Sequence, residues 1–132
     1  MIYPMLAMIL LTFGYAGYTA YGRVKAVKNR EVDIRYYRTM SGYDIPHRLQ
    51  IATRHFNNLL ETPPLFYIAA ALIIATELES GFTAAVGWIY FGSRVAHMYI
   101  HNTYNFPLHR MMAFFIGWVC IATLWIVLAI RL

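Results

Sequence analysis

The sequence predicts an all-α, integral membrane protein: one domain of four membrane-spanning helices. Three observations predict it. Hydrophobic residues make up 60% of the 132 residues and charged residues only 13%, against ~25% charged in soluble domains. Mean hydropathy is +0.48. The apolar residues fall into four long runs, each close to the ~20 residues that a membrane helix needs. A 15.3 kDa domain has no interior large enough to hide so much apolar surface. Barrel strands are excluded, because they would alternate over about ten residues rather than run on unbroken.

The first helix is expected at residues 2–22, a stretch without charge. It lacks the basic start of a signal peptide, and its apolar run is too long for one, so it reads as an uncleaved span. Its Tyr15, Tyr18 and Tyr21 row reads as packing or interface, with Gly14 and Gly17 beside it permitting close helix approach. Residues 23–50 form a loop carrying Arg23, Lys25, Lys28, Arg30, Arg35, Arg38 and Arg48. The start of this loop can continue helix one, and Ser41-Gly42-Tyr43-Asp44 and Ile45-Pro46 read as turns. The second helix, 51–76, has its polar residues in its first third, followed by Pro63-Pro64. Those prolines remove helix hydrogen bonds, free carbonyls near Leu59 and Leu60, and favour a bend. The third helix is expected at 82–101. The fourth, at 108–130, holds the single Cys120, which reads as a small hydrophobe.

Lys and Arg concentrate on the cytoplasmic side of membrane proteins. The loop 23–50 is therefore read as cytoplasmic. The turn with Glu77 and Glu79 and no base is read as outside, and both termini then lie on the non-cytoplasmic side. Orientation and attraction to anionic lipid headgroups account for most of the loop bases. Membrane lipids are expected partners and nucleic acid is not.

Ionisable residues inside spans are costly and usually mark function. Arg54, Asn58 and Glu61 recur at i, i+4 and i+7 on one face of helix two, and Arg94, His97 and His101 at i, i+3 and i+7 on one face of helix three. Tyr90 and Tyr104 extend the second stripe. At ~1.5 Å per residue, Glu61 and His97 each lie ~24 Å from the acidic turn, so the two polar faces match in depth and predict a shared pocket. Arg binds carboxylates through paired donors, Glu can hold an ammonium, and Asn can serve a peptide amide. Glutathione, with two carboxylates, one ammonium and two amides, matches this inventory. Other amino-acid-like or phosphate ligands would fit too. A nearby cation would also hold a thiol as thiolate, its reactive form.

The run Arg54-His55-Phe56-Asn57-Asn58-Leu59-Leu60-Glu61 has the R-x-x-x-N-x-x-E pattern, and Gly92-Ser93-Arg94-Val95-Ala96-His97 contains R-V-x-H. Together they resemble the MAPEG family, the membrane-associated proteins in eicosanoid and glutathione metabolism, over nearly the whole chain. The chain reads as a divergent, bacterial-type member. The resemblance implies a homotrimer of four-helix subunits with glutathione as co-substrate bound between subunits near the cytoplasmic side. It implies a glutathione transferase or peroxidase acting on a lipophilic small-molecule substrate. It carries glutathione contact onto Arg54, Asn58, Glu61 and His97, with Arg94 on the same stripe, and loosely onto Arg23 or Lys25 at the end of helix one. Arg110, or His109, falls where the family places its thiol-activating Arg, and His97 or His101 would donate a proton. There are departures: His101 stands where glutathione-using members usually carry Tyr, and Ala113 or Phe114 replaces a Tyr of helix four.

A non-enzymatic lipid-binding or scaffold protein of the same fold accommodates the departures but leaves Arg54, Asn58 and Glu61 idle. A metal held by His97, His101 and Glu61 has no further ligand in the sequence and would be repelled by Arg94. Simple interhelical glue, at about 0.6 kcal/mol per contact, explains His47, His55 and Asn57 better than it explains two Arg, a Glu and two His.

Overall fold

A computed structural model describes residues 1–131 of the chain. The described residues are helical, with no strand among them. The helices are α1 (Ile2–Lys28), α2 (Tyr36–Thr39), α3 (His47–Glu61), α4 (Pro63–Ala75), α5 (Gly81–Asn102) and α6 (Pro107–Arg131). Helix α1 runs past the expected end at residue 22 and carries Lys25 and Lys28 in its last turn. The fourth expected helix, 108–130, corresponds to α6. Its first residue is Pro107, whose fixed φ suits a helix start.

The expected single helix 51–76 is two helices. Thr62 separates them, Pro63 and Pro64 open α4, and α3 starts four residues earlier, after Pro46. The prolines cannot donate to the preceding turn. Beside the break, the Thr62 hydroxyl donates to the Asn58 carbonyl (3.4 Å) and the Leu65 amide to the Thr62 carbonyl (3.2 Å).

Three segments are long and apolar enough to cross a membrane: Ile2–Lys28, His47–Ala75 and Pro107–Arg131. Helix α5 is not among them, although its 22 residues would extend ~33 Å. The reason is its inward face. Thr83, Tyr90, Ser93, Arg94, His97 and His101 are all buried, so its polar groups face protein. At the start of α5, the Ser80 hydroxyl accepts from the Thr83 amide (3.2 Å) while the Ser80 amide donates to the Thr83 hydroxyl (2.9 Å).

Helices α5 and α6 form a tight pair across a short turn, α4 packs on α6, and α1 packs on α3, α4 and α5. The main core joins Met8, Phe66, Ala69, Ala70, Ile73, Tyr90, Ile121, Leu124 and Leu128. The small Ala69 and Ala70 let helices approach closely, which matters where lipid competes equally for apolar side chains. Close approach to α1 occurs at Gly87, where an added Cβ would lie 3.2 Å from Pro4. It does not occur at Gly14 or Gly17, beside which nothing lies within 4 Å.

The segment between α1 and α3 is folded. Val32 and Tyr36 pack with Ala26 and Leu49 in a second small cluster. Arg48 pairs with Glu31. The Asn29 amide, which donates to Glu31 (3.2 Å), and Arg48 together hold this carboxyl below its ordinary value of 4.5. A carboxyl lowered on folding contributes fully above that ordinary value and loses its contribution as pH falls through the folded value. Proteolysis of this segment is therefore expected to accelerate as pH falls below that ordinary value. The acceleration should be absent in Glu31→Gln, as a pH series of limited digestion would read.

Candidate functional site

Helices α3, α5 and α6 border an open pocket of about 640 Å³, within the ~300–1,000 Å³ of small-molecule sites. Its walls include Arg54, Asn58 and Glu61 from α3, His97 and His101 from α5, and Arg110 from α6. The two polar stripes expected to match in depth thus meet in one cavity. Arg54 and Glu61 are exposed, Asn58 is half-buried, and His97 and His101 are buried at the back. Among the described residues no side chain pairs with the Arg54 guanidinium or the Glu61 carboxylate. Arg110 is held at the rim, where it donates to the Asn105 side-chain oxygen (3.0 Å).

The helical period explains this grouping. From Arg54, positions i+4 and i+7 return to one face of α3, and the break at Thr62 ends that face just below Glu61. Asn57 also lines the pocket, which corrects its reading as a packing residue. It sits at i+3 from Arg54 and i−4 from Glu61, and this spacing was the signal that could have found it. Phe114 and Met111 supply an apolar wall from α6. Of the two residues expected at the Tyr position, Phe114 lines the pocket and Ala113 is buried. His109 faces Tyr104, its Nδ1 3.1 Å from the Tyr104 hydroxyl. Arg110, not His109, is the α6 base that reaches the pocket.

Behind the pocket stands a wall of imidazoles. His55, 1% exposed, stacks on His97 (5.3 Å between centroids, 24° between planes) and meets His101 edge-on (5.4 Å). Tyr15 closes the other side, its ring 4.5 Å from His55 and its hydroxyl donating to the Asn102 side-chain oxygen (2.8 Å). Among the described residues neither ring nitrogen of His55 has a partner. Among the same residues no group of three or more His, Cys, Asp or Glu is arranged to hold a metal ion.

Several expected contacts are not in the pocket. Arg94 is 2% exposed and does not line it. Its guanidinium donates to the carbonyls of Phe114 (2.9 Å) and Ala113 (3.4 Å), to the Thr62 hydroxyl (3.4 Å) and to the Ser93 hydroxyl (3.4 Å). The same i+3 spacing that aligned it with His97 leaves it a turn deeper, on the part of α5 that packs against α6. Tyr90 lies deeper still, stacked on Phe66, and Tyr104 lies beyond the end of α5. Arg23 donates to the Thr53 hydroxyl (3.2 Å) and Lys25 lines a smaller cavity between α1 and α3. Neither lines this pocket.

Comparison with curated proteins and with solved structures yields no match. A family model described as MAPEG family matches residues 1–130, nearly the whole chain. With three apolar helices of spanning length, the protein fits an integral membrane protein. The chain belongs to the MAPEG family.

Proposed function

We propose that the protein binds glutathione within the membrane and acts as a glutathione transferase or peroxidase on lipophilic electrophiles or hydroperoxides. One observation carries this reading: a single pocket gathers Arg54, Asn58, Glu61, His97, His101 and Arg110. Membership of a family whose members bind glutathione supports it. The charges agree. Arg54, Arg110 and the buried Arg94 against Glu61 leave the pocket region net positive, which suits a ligand that is anionic as a thiol and more so as a thiolate.

In this reading Arg54 takes a carboxylate, Glu61 the ammonium, and Asn58 the peptide amide. Arg110 favours the thiolate by placing positive charge near sulfur. His97 or His101 takes up the thiol proton; the sulfur lone pair forms the C–S bond to the electrophile, the pair from the broken bond leaves with the departing group, and that group receives the proton back from the histidine. With a hydroperoxide, sulfur takes the terminal oxygen, the alkoxide leaves, and a second glutathione reduces the sulfenic acid to give disulfide and water.

We further propose that α1, the α3–α4 pair, α5 and α6 form a four-helix subunit of a homotrimer. The basic segment between α1 and α3 would lie in the cytoplasm and both termini on the other side. The exposed Arg54 and Glu61 leave the pocket open on one side for a neighbouring copy to close. Arg23 and Lys25 would serve that neighbour's pocket.

Titration of the purified, detergent-solubilised protein with glutathione, by calorimetry or thermal shift, tests the reading. Glu61→Gln keeps the shape and loses the ammonium pair, so its binding should weaken about tenfold, or about 1.4 kcal/mol. Absence of binding at millimolar glutathione sinks the proposal. A lipid-binding scaffold then comes first, a reading that the apolar Phe114 in the wall favours.

A further inference from the structure

We infer that Arg94 is a positioning residue: its guanidinium, seated in the notch left by Gly117, sets the separation of α3 from α6 across the pocket. A buried guanidinium is costly to desolvate, and among the described residues no carboxylate pairs with Arg94. Four hydrogen bonds and two aromatic faces surround it instead, with its carbon 4.9 Å from the Phe114 ring centre and 5.3 Å from that of Tyr90.

The seat is specific. Carbonyls of residues i point towards residue i+4 in a helix, so the Ala113 carbonyl is covered by whatever stands at position 117. That residue is glycine. A Cβ there would lie 2.1 Å from one guanidinium nitrogen and 2.8 Å from the guanidinium carbon, so the arginine head fills the space of the missing side chain. Only there can one planar fork reach both carbonyls of α6 and still extend a nitrogen to Thr62.

Those partners lie directly beneath the pocket. Thr62 hands the contact on, donating to the carbonyl of Asn58 (3.4 Å), a pocket residue. Phe114 lines the pocket, and Arg110 stands one turn before it on α6. One cation therefore references both the α3 wall and the α6 wall, while its own helix carries His97 one turn on. Lysine, a point charge without a fork, cannot span these acceptors.

The test is a distance measurement. Nitroxides are placed at the exposed Leu60 and Met112 in a Cys120→Ala background. Labelled subunits are diluted with unlabelled ones, and pulsed electron resonance reads the α3–α6 separation. Arg94→Lys should broaden the distribution and move its centre by about 1 Å or more, the scale on which packed contacts are lost. Gly117→Ala, which keeps the arginine but occupies its seat, should do the same. In an Arg94→Met background the alanine should add nothing further, since the head it displaces is gone. An unchanged distribution in Gly117→Ala overturns the inference, and so does one in a folded Arg94→Lys. Should Arg94→Lys fail to fold, Gly117→Ala decides alone.

The consequence for ligand rests on the proposed function: both variants should bind glutathione about tenfold more weakly. If the parent protein binds no glutathione, that reading fails while the distance measurement still decides this one.

Discussion

Arg54→Ala is expected to weaken glutathione binding by about two orders of magnitude and to leave the fold intact. The side chain is exposed and has no partner among the described residues, so its loss disturbs no packed contact. Exposed substitutions of this kind stay within about 0.5 kcal/mol of the parent in stability. In the complex the same guanidinium would grip a ligand carboxylate in a cleft closed by protein. Truncating one member of such a pair costs about 2–5 kcal/mol. Calorimetric titration beside a melting curve separates the two quantities. Arg54→Lys should fall between parent and alanine, because it keeps the charge and loses the fork. A dissociation constant for Arg54→Ala equal to that of the parent would place the carboxylate away from α3 and overturn the assigned orientation.

The largest effect on stability is expected at Phe66. Its ring is fully buried and stacks on Tyr90 at 4.3 Å, where α4 meets α5. In a water-soluble core Phe→Ala costs about 3–5 kcal/mol. Between membrane helices lipid replaces water, so the transfer part of that cost is lost and packing remains. An expected cost of about 2–3 kcal/mol follows. Unfolding in mixed micelles of increasing denaturing detergent would measure it. Phe66→Leu should recover most of the loss. If Phe66→Ala matched the parent, the α4–α5 contact would not be a source of stability.

The apolar runs and their period carried most of the helix positions. Residues 82–101 and 108–130 each fall within a residue of the observed α5 and α6. Grouping by helical face was enough to bring Arg54, Asn58 and Glu61 to the same pocket as His97 and His101. Arg94 shows the limit of that reasoning. Spacing along a helix gives the direction of a side chain, but not which neighbour meets it, and the acceptors that hold Arg94 are backbone carbonyls of α6 beside a glycine. No sequence pattern advertises a carbonyl. The same holds for His55, whose enclosure by Tyr15, His97 and His101 depends on how α1 crosses α3 and α5. The break at Thr62 was legible as a bend from the two prolines, but the partners of the Thr62 hydroxyl needed coordinates.

The inward polar face of α5 bears on biogenesis. In the proposed four-span arrangement, α5 has to enter the bilayer while carrying an arginine and two histidines. A charged residue near a helix centre raises the insertion free energy by about 2.5–3.5 kcal/mol. Helix α6 is strongly apolar, joined to α5 by a short turn, and supplies the carbonyls that satisfy that arginine. The two would therefore partition together as a hairpin, and a released chain that ended before α6 would hold α5 at the bilayer surface.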